Sequence, residues 1–143
     1  MTVSRVGKSK PPKVEEMLGP LEAEVMKIIW ARGTALVSEV EEILNRRRTV
    51  PLAYKTVLTI CTRLGEKGIL SHEKEGRAFR FYPAMTETEF VAAQAAKATA
   101  ALVSRFGDVV LSTFVDQVAA DPDQLAALRR LVDGAVLSAT KGR

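Results

Sequence analysis

In Ala53-Tyr54-Lys55-Thr56-Val57-Leu58-Thr59-Ile60-Cys61-Thr62-Arg63-Leu64, the apolar residues Val57, Ile60, Cys61 and Leu64 recur at i, i+3, i+4 and i+7. At about 100° per residue they share one face, as a helix docked on a core requires. The opposite face carries Lys55, Thr59 and Thr62, flanked by Thr56 and Arg63, and holds no carboxylate. Cations suit phosphates and short hydroxyls suit base edges, so the pattern is that of a helix able to read a major groove.

Upstream, Pro20 after Gly19 suits a helix start, Leu21, Val25, Ile28 and Ile29 repeat at helical spacing, and Gly33 ends the run. Trp30, beside that stripe, reads as core. A second helix is expected over about residues 37–46, opened by the capping-box spacing Ser38-Glu39-Val40-Glu41 and edged by Val40, Ile43 and Leu44. Arg46-Arg47-Arg48 then leads through Pro51 into the first-quoted helix, where the triplet is placed for phosphate contacts. That helix ends near Lys67-Gly68. Downstream, the alternation in Ile69–Pro83 predicts a hairpin. A turn at Glu75-Gly76 pairs Lys74 with Arg77, His72 with Phe79 and Leu70 with Phe81, leaving Lys74 and Arg77 at the tip. His72 reads as a packed edge residue. Three helices and a hairpin, in that order, make a winged helix-turn-helix domain.

Beyond Pro83 the strand signals stop. Thr86-Glu87-Thr88-Glu89 is a capping box opening an alanine-rich helix to about Phe106, Asp108 is expected to cap a second helix, and Asp121-Pro122 to start a third. The fold is therefore expected to be mainly α, a winged helix-turn-helix domain followed by a three-helix C-terminal dimerisation domain. The divisions are a flexible basic arm at 1–16, the winged domain at 17–84, the helical domain at 85–134 and a tail at 135–143. Three helices this rich in Ala, Val and Leu have too few companions to cover every apolar face. A homodimer would cover them, and its two-fold symmetry would suit a palindromic site. The expected dimer contacts are Phe90, Leu102, Leu111, Phe114, Val115, Leu125, Leu128 and Leu131.

Charge agrees with this division. Residues 1–84 hold 15 Lys and Arg against 10 Asp and Glu, whereas residues 85–143 hold 6 against 7. A basic N-terminal half points to a polyanion, and a near-neutral apolar C-terminal half to another protein chain. At 143 residues, 47% hydrophobic and 27% charged, the chain is a globular protein with a core of its own. One cysteine rules out an internal disulfide and fits a reducing cytoplasm. One Cys and one His leave little from which to build a zinc site or a Cys–His nucleophile, so no metal and no cofactor is expected. No run is long enough to enter a membrane, and the start lacks the apolar segment of a secretion signal.

Three segments together resemble the penicillinase repressor (BlaI/MecI) family. They are Leu18-Gly19-Pro20-Leu21-Glu22-Ala23-Glu24-Val25-Met26 with Trp30; Tyr54-Lys55-Thr56-Val57 with Thr59, Arg63 and Leu64; and Lys67-Gly68-Ile69-Leu70 running to Lys74-Glu75-Gly76-Arg77-Ala78-Phe79 and Tyr82-Pro83. The resemblance implies a homodimeric repressor on a palindromic TACA…TGTA-type DNA operator. It assigns Lys55, Thr56, Thr59 and Arg63 to the reading helix and Lys74 and Arg77 to the wing; Thr62 and Arg46–Arg48 join them on position alone. It also implies release by cleavage in the dimerisation region, triggered by a membrane sensor peptidase. The matching segment is Val110-Leu111-Ser112-Thr113-Phe114-Val115, with Thr113 where the penicillinase repressors carry Asn, so Thr113 and Phe114 flank the candidate bond. The family's copper-responsive branch has a cysteine-rich C-terminus, and residues 84–143 contain no cysteine.

Two other classes compete with DNA reading. A winged domain used as a protein-binding module predicts an acidic or apolar face on residues 54–64, and this one is basic and hydroxylated. A redox-responsive regulator would act through Cys61, which helical phase places on the core side. An enzyme would need a clustered acid–base set, an activated nucleophile or a phosphate-cradling loop, and the sequence presents none.

Overall fold

The computed structural model describes residues 12–141, so the expected arm lies outside the described residues up to residue 11. Its last part belongs to the fold: Val14–Glu16 forms a short 3₁₀ turn whose Val14 is buried and whose Glu15 pairs with Lys27. Contacts divide the chain into a unit spanning Lys13–Ala96 and a second covering residues 97–141.

In the first unit, α1 (Pro20–Arg32), α2 (Val37–Asn45) and α3 (Tyr54–Glu66) pack around Val25, Met26, Ile29, Val37, Val40, Val57, Cys61 and Leu64, all at most 1% exposed. Each such side chain taken from water contributes about 1.5–3 kcal/mol, which is why the i, i+3, i+4, i+7 stripe of α3 selects its orientation. Gly33 ends α1 with φ +85° and Gly68 follows α3 with φ +80°, a left-handed backbone that suits glycine.

α2 begins at Val37, two residues earlier than the Ser38 box implies. Residues Ala35–Leu36 form a two-residue strand, β1, running straight into the helix and making Leu36 its N-cap. Glu39 therefore stands at N3, and its Oε1 accepts the Leu36 N–H at 2.8 Å. β1 is too short to leave a period-2 pattern. It pairs with β3 (Ala78–Pro83), which also pairs with β2 (Leu70–Glu75), giving the antiparallel order β1-β3-β2.

The hairpin register differs from the expected one. Glu75 lies opposite Ala78, Lys74 opposite Phe79, His72 opposite Phe81 and Leu70 opposite Pro83, so the two-residue turn is Gly76-Arg77. Gly76 takes φ +64° while Arg77 does not turn positive, as a type II′ turn prefers. The slip is two residues, so every side chain keeps its face. Phe81 is buried, Phe79 half-buried, and the exposed His72 ring sits 5.5 Å from Phe79 and 5.4 Å from Phe81.

α4 (Glu87–Phe106) opens on the expected box: the Thr86 N–H donates to Glu89 Oε1 at 2.8 Å and the Glu89 N–H to Thr86 Oγ1 at 3.1 Å. Its first turn belongs to the winged unit, because Phe90, 2% exposed, packs 5.8 Å from the Trp30 ring, whose Nε1 donates to the Met85 carbonyl. Phe90 is thus a core residue of its own chain and not a contact between copies.

In the second unit, α5 (Val109–Val118) packs on α6 (Pro122–Lys141). Asp121 caps α6 by accepting the Asp123 N–H, but Asp108, already in helical backbone after Gly107, makes no side-chain cap. α6 runs on to Lys141, so residues 135–141 are helical where a tail was expected. Only Val118 and Ala127 are buried in these two helices. Leu102, Leu111, Phe114, Val115, Leu125 and Leu131 are exposed and Leu128 half-buried. An apolar cleft of about 400 Å³ lies among Leu102, Phe106, Val109, Val110, Thr113, Phe114 and Gln117. Among the described residues no helix is long and apolar enough to cross a membrane.

Candidate nucleic-acid interface

α3 presents Lys55, Thr56, Thr59, Thr62 and Arg63 to solvent, the complement of its buried stripe. Lys55 and Arg63 make no ion pair among the described residues. The Thr59 hydroxyl donates to the Lys55 carbonyl at 2.9 Å and the Thr62 hydroxyl to the Leu58 carbonyl at 2.8 Å. With its hydrogen so committed, each hydroxyl faces outward as an acceptor, suited to an amino group on a base edge. Leu58 is half-buried and lines a cleft of about 430 Å³ with Phe79, Phe81 and His72. It therefore packs toward the wing and not onto the open face of α3.

The same cleft shows that α3 and the wing stand side by side, since its other wall includes Thr62, Gly65 and Glu66. Lys74 and Arg77 are exposed at the wing tip and unpaired among the described residues. Arg80 is not: it bonds Glu75 Oε2 at 2.6 Å and lies 3.8 Å from Glu39, and the Glu75 bond holds its guanidinium above its ordinary pKa.

The arginine triplet divides by role. Arg46 is exposed and rests 3.5 Å from Glu42, while Arg47 is exposed without an ion pair among the described residues. Arg48 turns inward, its Nη2 2.7 Å from Glu24 on α1 and its Nε buried without a hydrogen bond. It braces the α2–α3 loop and is not free to meet a phosphate without breaking that pair. The loop is closed a second time by Asn45, whose amide accepts the Leu52 N–H at 2.8 Å and donates to the Leu52 carbonyl at 3.0 Å. At the far end of α3, Lys67 bonds both oxygens of Glu22, which also accepts the Gly19 N–H. Burial works to raise the Glu22 carboxyl, but the Lys67 and Gly19 bonds outweigh it and hold it below its ordinary value. These braces, from Glu24 and Glu22 of α1 to the loop before α3 and to the end of α3, leave no periodic trace in sequence.

Burial raises the Cys61 thiol to about 12. The thiolate is the reactive form, so native protein at pH 8 is expected to resist iodoacetamide that labels Cys61 at once in denaturant. Rapid labelling of the folded chain would reopen a redox role.

The sequence profile describing the penicillinase repressor matches residues 18–134. The chain belongs to the penicillinase repressor family. It is 38% identical over 115 residues to the transcriptional regulator BlaI of Mycobacterium tuberculosis, covering 79% of this chain and 80% of that protein. It is 39% identical over 70 residues to the penicillinase repressor of Bacillus licheniformis, covering 49% of this chain and about half, 53%, of that protein's length. Among solved structures, the monomeric form of Bacillus licheniformis BlaI in complex with the blaP half-operator is 36% identical, covering 56% of this chain and 90% of that one, with a TM-score of 0.42. The matched span in this chain holds both α3 and the wing, and the relatives it aligns with carry the names of transcriptional regulators rather than enzymes.

Proposed function

We propose that this member of the penicillinase repressor family is a cytoplasmic homodimeric repressor that occupies a palindromic TACA…TGTA-like operator and blocks transcription by steric exclusion. The observation that carries this is the outer face of α3: five exposed cationic or hydroxyl residues, no carboxylate between Tyr54 and Arg63, and no ion pair holding its cations among the described residues. Lys55, Arg63, Arg46, Arg47, Lys74 and Arg77 hold phosphates, with Arg48 available only on release from Glu24; Thr56, Thr59 and Thr62 meet base edges.

Dimerisation is supported by the second unit, where Leu111 is 67% exposed and Phe114 51% exposed around an apolar cleft. An apolar surface of this kind marks an interface, formed here by Leu102, Leu111, Phe114, Val115, Leu125, Leu128 and Leu131. Relief is by proteolysis between Thr113 and Phe114, in a pathway begun by a membrane sensor peptidase. Both residues lie inside α5, so the bond must fray from its helix before a protease reaches it.

Gel shifts with the palindrome, a scrambled duplex and a series of salt concentrations test the reading. Each phosphate neutralised contributes about −0.9 to the slope of log K against log salt, so a steep loss of binding is expected, with the palindrome preferred throughout. Salt-independent binding, or equal binding of scrambled DNA, would overturn it.

A further inference from the structure

In the winged unit, large apolar side chains are exposed at only two of the described positions: Val50, 79% exposed, and Tyr54, 40% exposed. Single exposed hydrophobics scattered over a surface need no explanation. These two are not scattered: they stand four residues apart at the leading end of α3, between the exposed cations Arg46 and Arg47 and the exposed Lys55. Pro51 and Ala53 between them are exposed as well. An apolar point flanked along the chain by exposed cations fits a surface that is anionic around it and apolar at one spot. The major groove is such a surface, because the thymine C5-methyl is the apolar group among its base edges.

The loop that carries Val50 is also held ready. Asn45 brackets Leu52 with two hydrogen bonds, and the Arg48–Glu24 pair at 2.7 Å ties the loop to α1. Little conformational freedom remains for Val50 to lose on contact, which favours a specific role over a collapsing flexible tip. Leu58, the residue of α3 best suited by position to touch a methyl, is half-buried toward the wing cleft.

Building on the operator-binding reading above, we infer that Val50 is a specificity-determining residue that packs on a thymine methyl at the edge of each half-site. The α2–α3 loop is then a second reading element beside α3. It discriminates thymine from cytosine and from uracil by apolar contact, without a hydrogen bond.

The test uses the full chain and a duplex carrying TACA…TGTA half-sites, in which thymines are replaced singly and symmetrically by deoxyuridine, removing only the methyl group. Wild-type protein should lose about fourfold in affinity per half-site at one such position, the worth of one buried methyl-sized group. Val50→Ala should bind the thymine duplex as weakly as wild type binds that uracil duplex and should no longer respond to the replacement. Its salt slope and melting temperature should match wild type, since no charge and no buried contact has changed. A Val50→Ala variant that keeps the wild-type affinity or the wild-type response to uracil overturns the inference while leaving the operator reading intact. A wild-type protein that does not prefer the palindrome over scrambled DNA overturns both.

Discussion

Lys55→Ala combined with Arg63→Ala is expected to weaken operator binding on the order of a thousandfold near 0.15 M salt, with melting temperature and dimer unchanged. Both side chains are exposed on α3 and neither is held in an ion pair among the described residues, so removal opens no cavity and orphans no buried partner. The magnitude follows from counterion release. A phosphate contact adding about 0.9 to the salt slope is worth roughly fivefold in affinity at that salt, and a dimer loses two contacts from each protomer. The slope itself should fall by about 3.6. Restoring charge with Lys55→Arg and Arg63→Lys should return most of the slope. Arg48→Ala is the informative contrast: its guanidinium is committed to Glu24, so it should lower stability and leave the slope near wild type. Unchanged operator affinity in the Lys55/Arg63 double variant would favour a protein-binding role for the winged unit.

What could be read from the chain is what repeats. The buried stripe Val57, Ile60, Cys61, Leu64 fixes both the inner and the outer face of α3, because a helix has one phase and only one of its faces can be apolar. The caps at Gly33, Gly68 and Thr86 were legible because each needs a particular residue type at one point. Features set by partners distant in sequence were not legible. β1 exists through its pairing with β3, Ala35 opposite Phe81, and a two-residue strand carries no pattern. Arg48 sits in a basic triplet and looks like its neighbours until Glu24 is seen beside it, 24 residues away. Val50 carries no signal of its own in sequence, because an isolated apolar residue in a polar loop gains meaning only once its exposure is known. The boundary expected at residue 134 is not kept either: α6 continues through Gly134 to Lys141, since one glycine costs a helix only about 1 kcal/mol.

Phe90→Ala is expected to destabilise the winged unit by about 3–5 kcal/mol, the usual cost of emptying a buried phenylalanine site. For a unit of this size that is a fall of roughly 15–30 °C in the melting temperature of its transition. Sequence position alone assigned Phe90 to the contact between copies, since it lies at the start of the long helix that leads into the second unit. Its burial within its own chain, 5.8 Å from the Trp30 ring, assigns it to folding instead. Trp30 is held in turn through its Nε1 bond to the Met85 carbonyl, so Phe90 helps fix where α4 leaves the wing. The two assignments separate by mass action. A residue that only joins copies contributes stability that grows with protein concentration, whereas an intramolecular core residue contributes the same amount at every concentration. Calorimetric scans of the full chain over a hundredfold range of concentration should therefore show a constant deficit for Phe90→Ala. A deficit that grows as the protein is concentrated would return Phe90 to the interface, and α4 would then begin as part of the second unit and not as the last helix of the first.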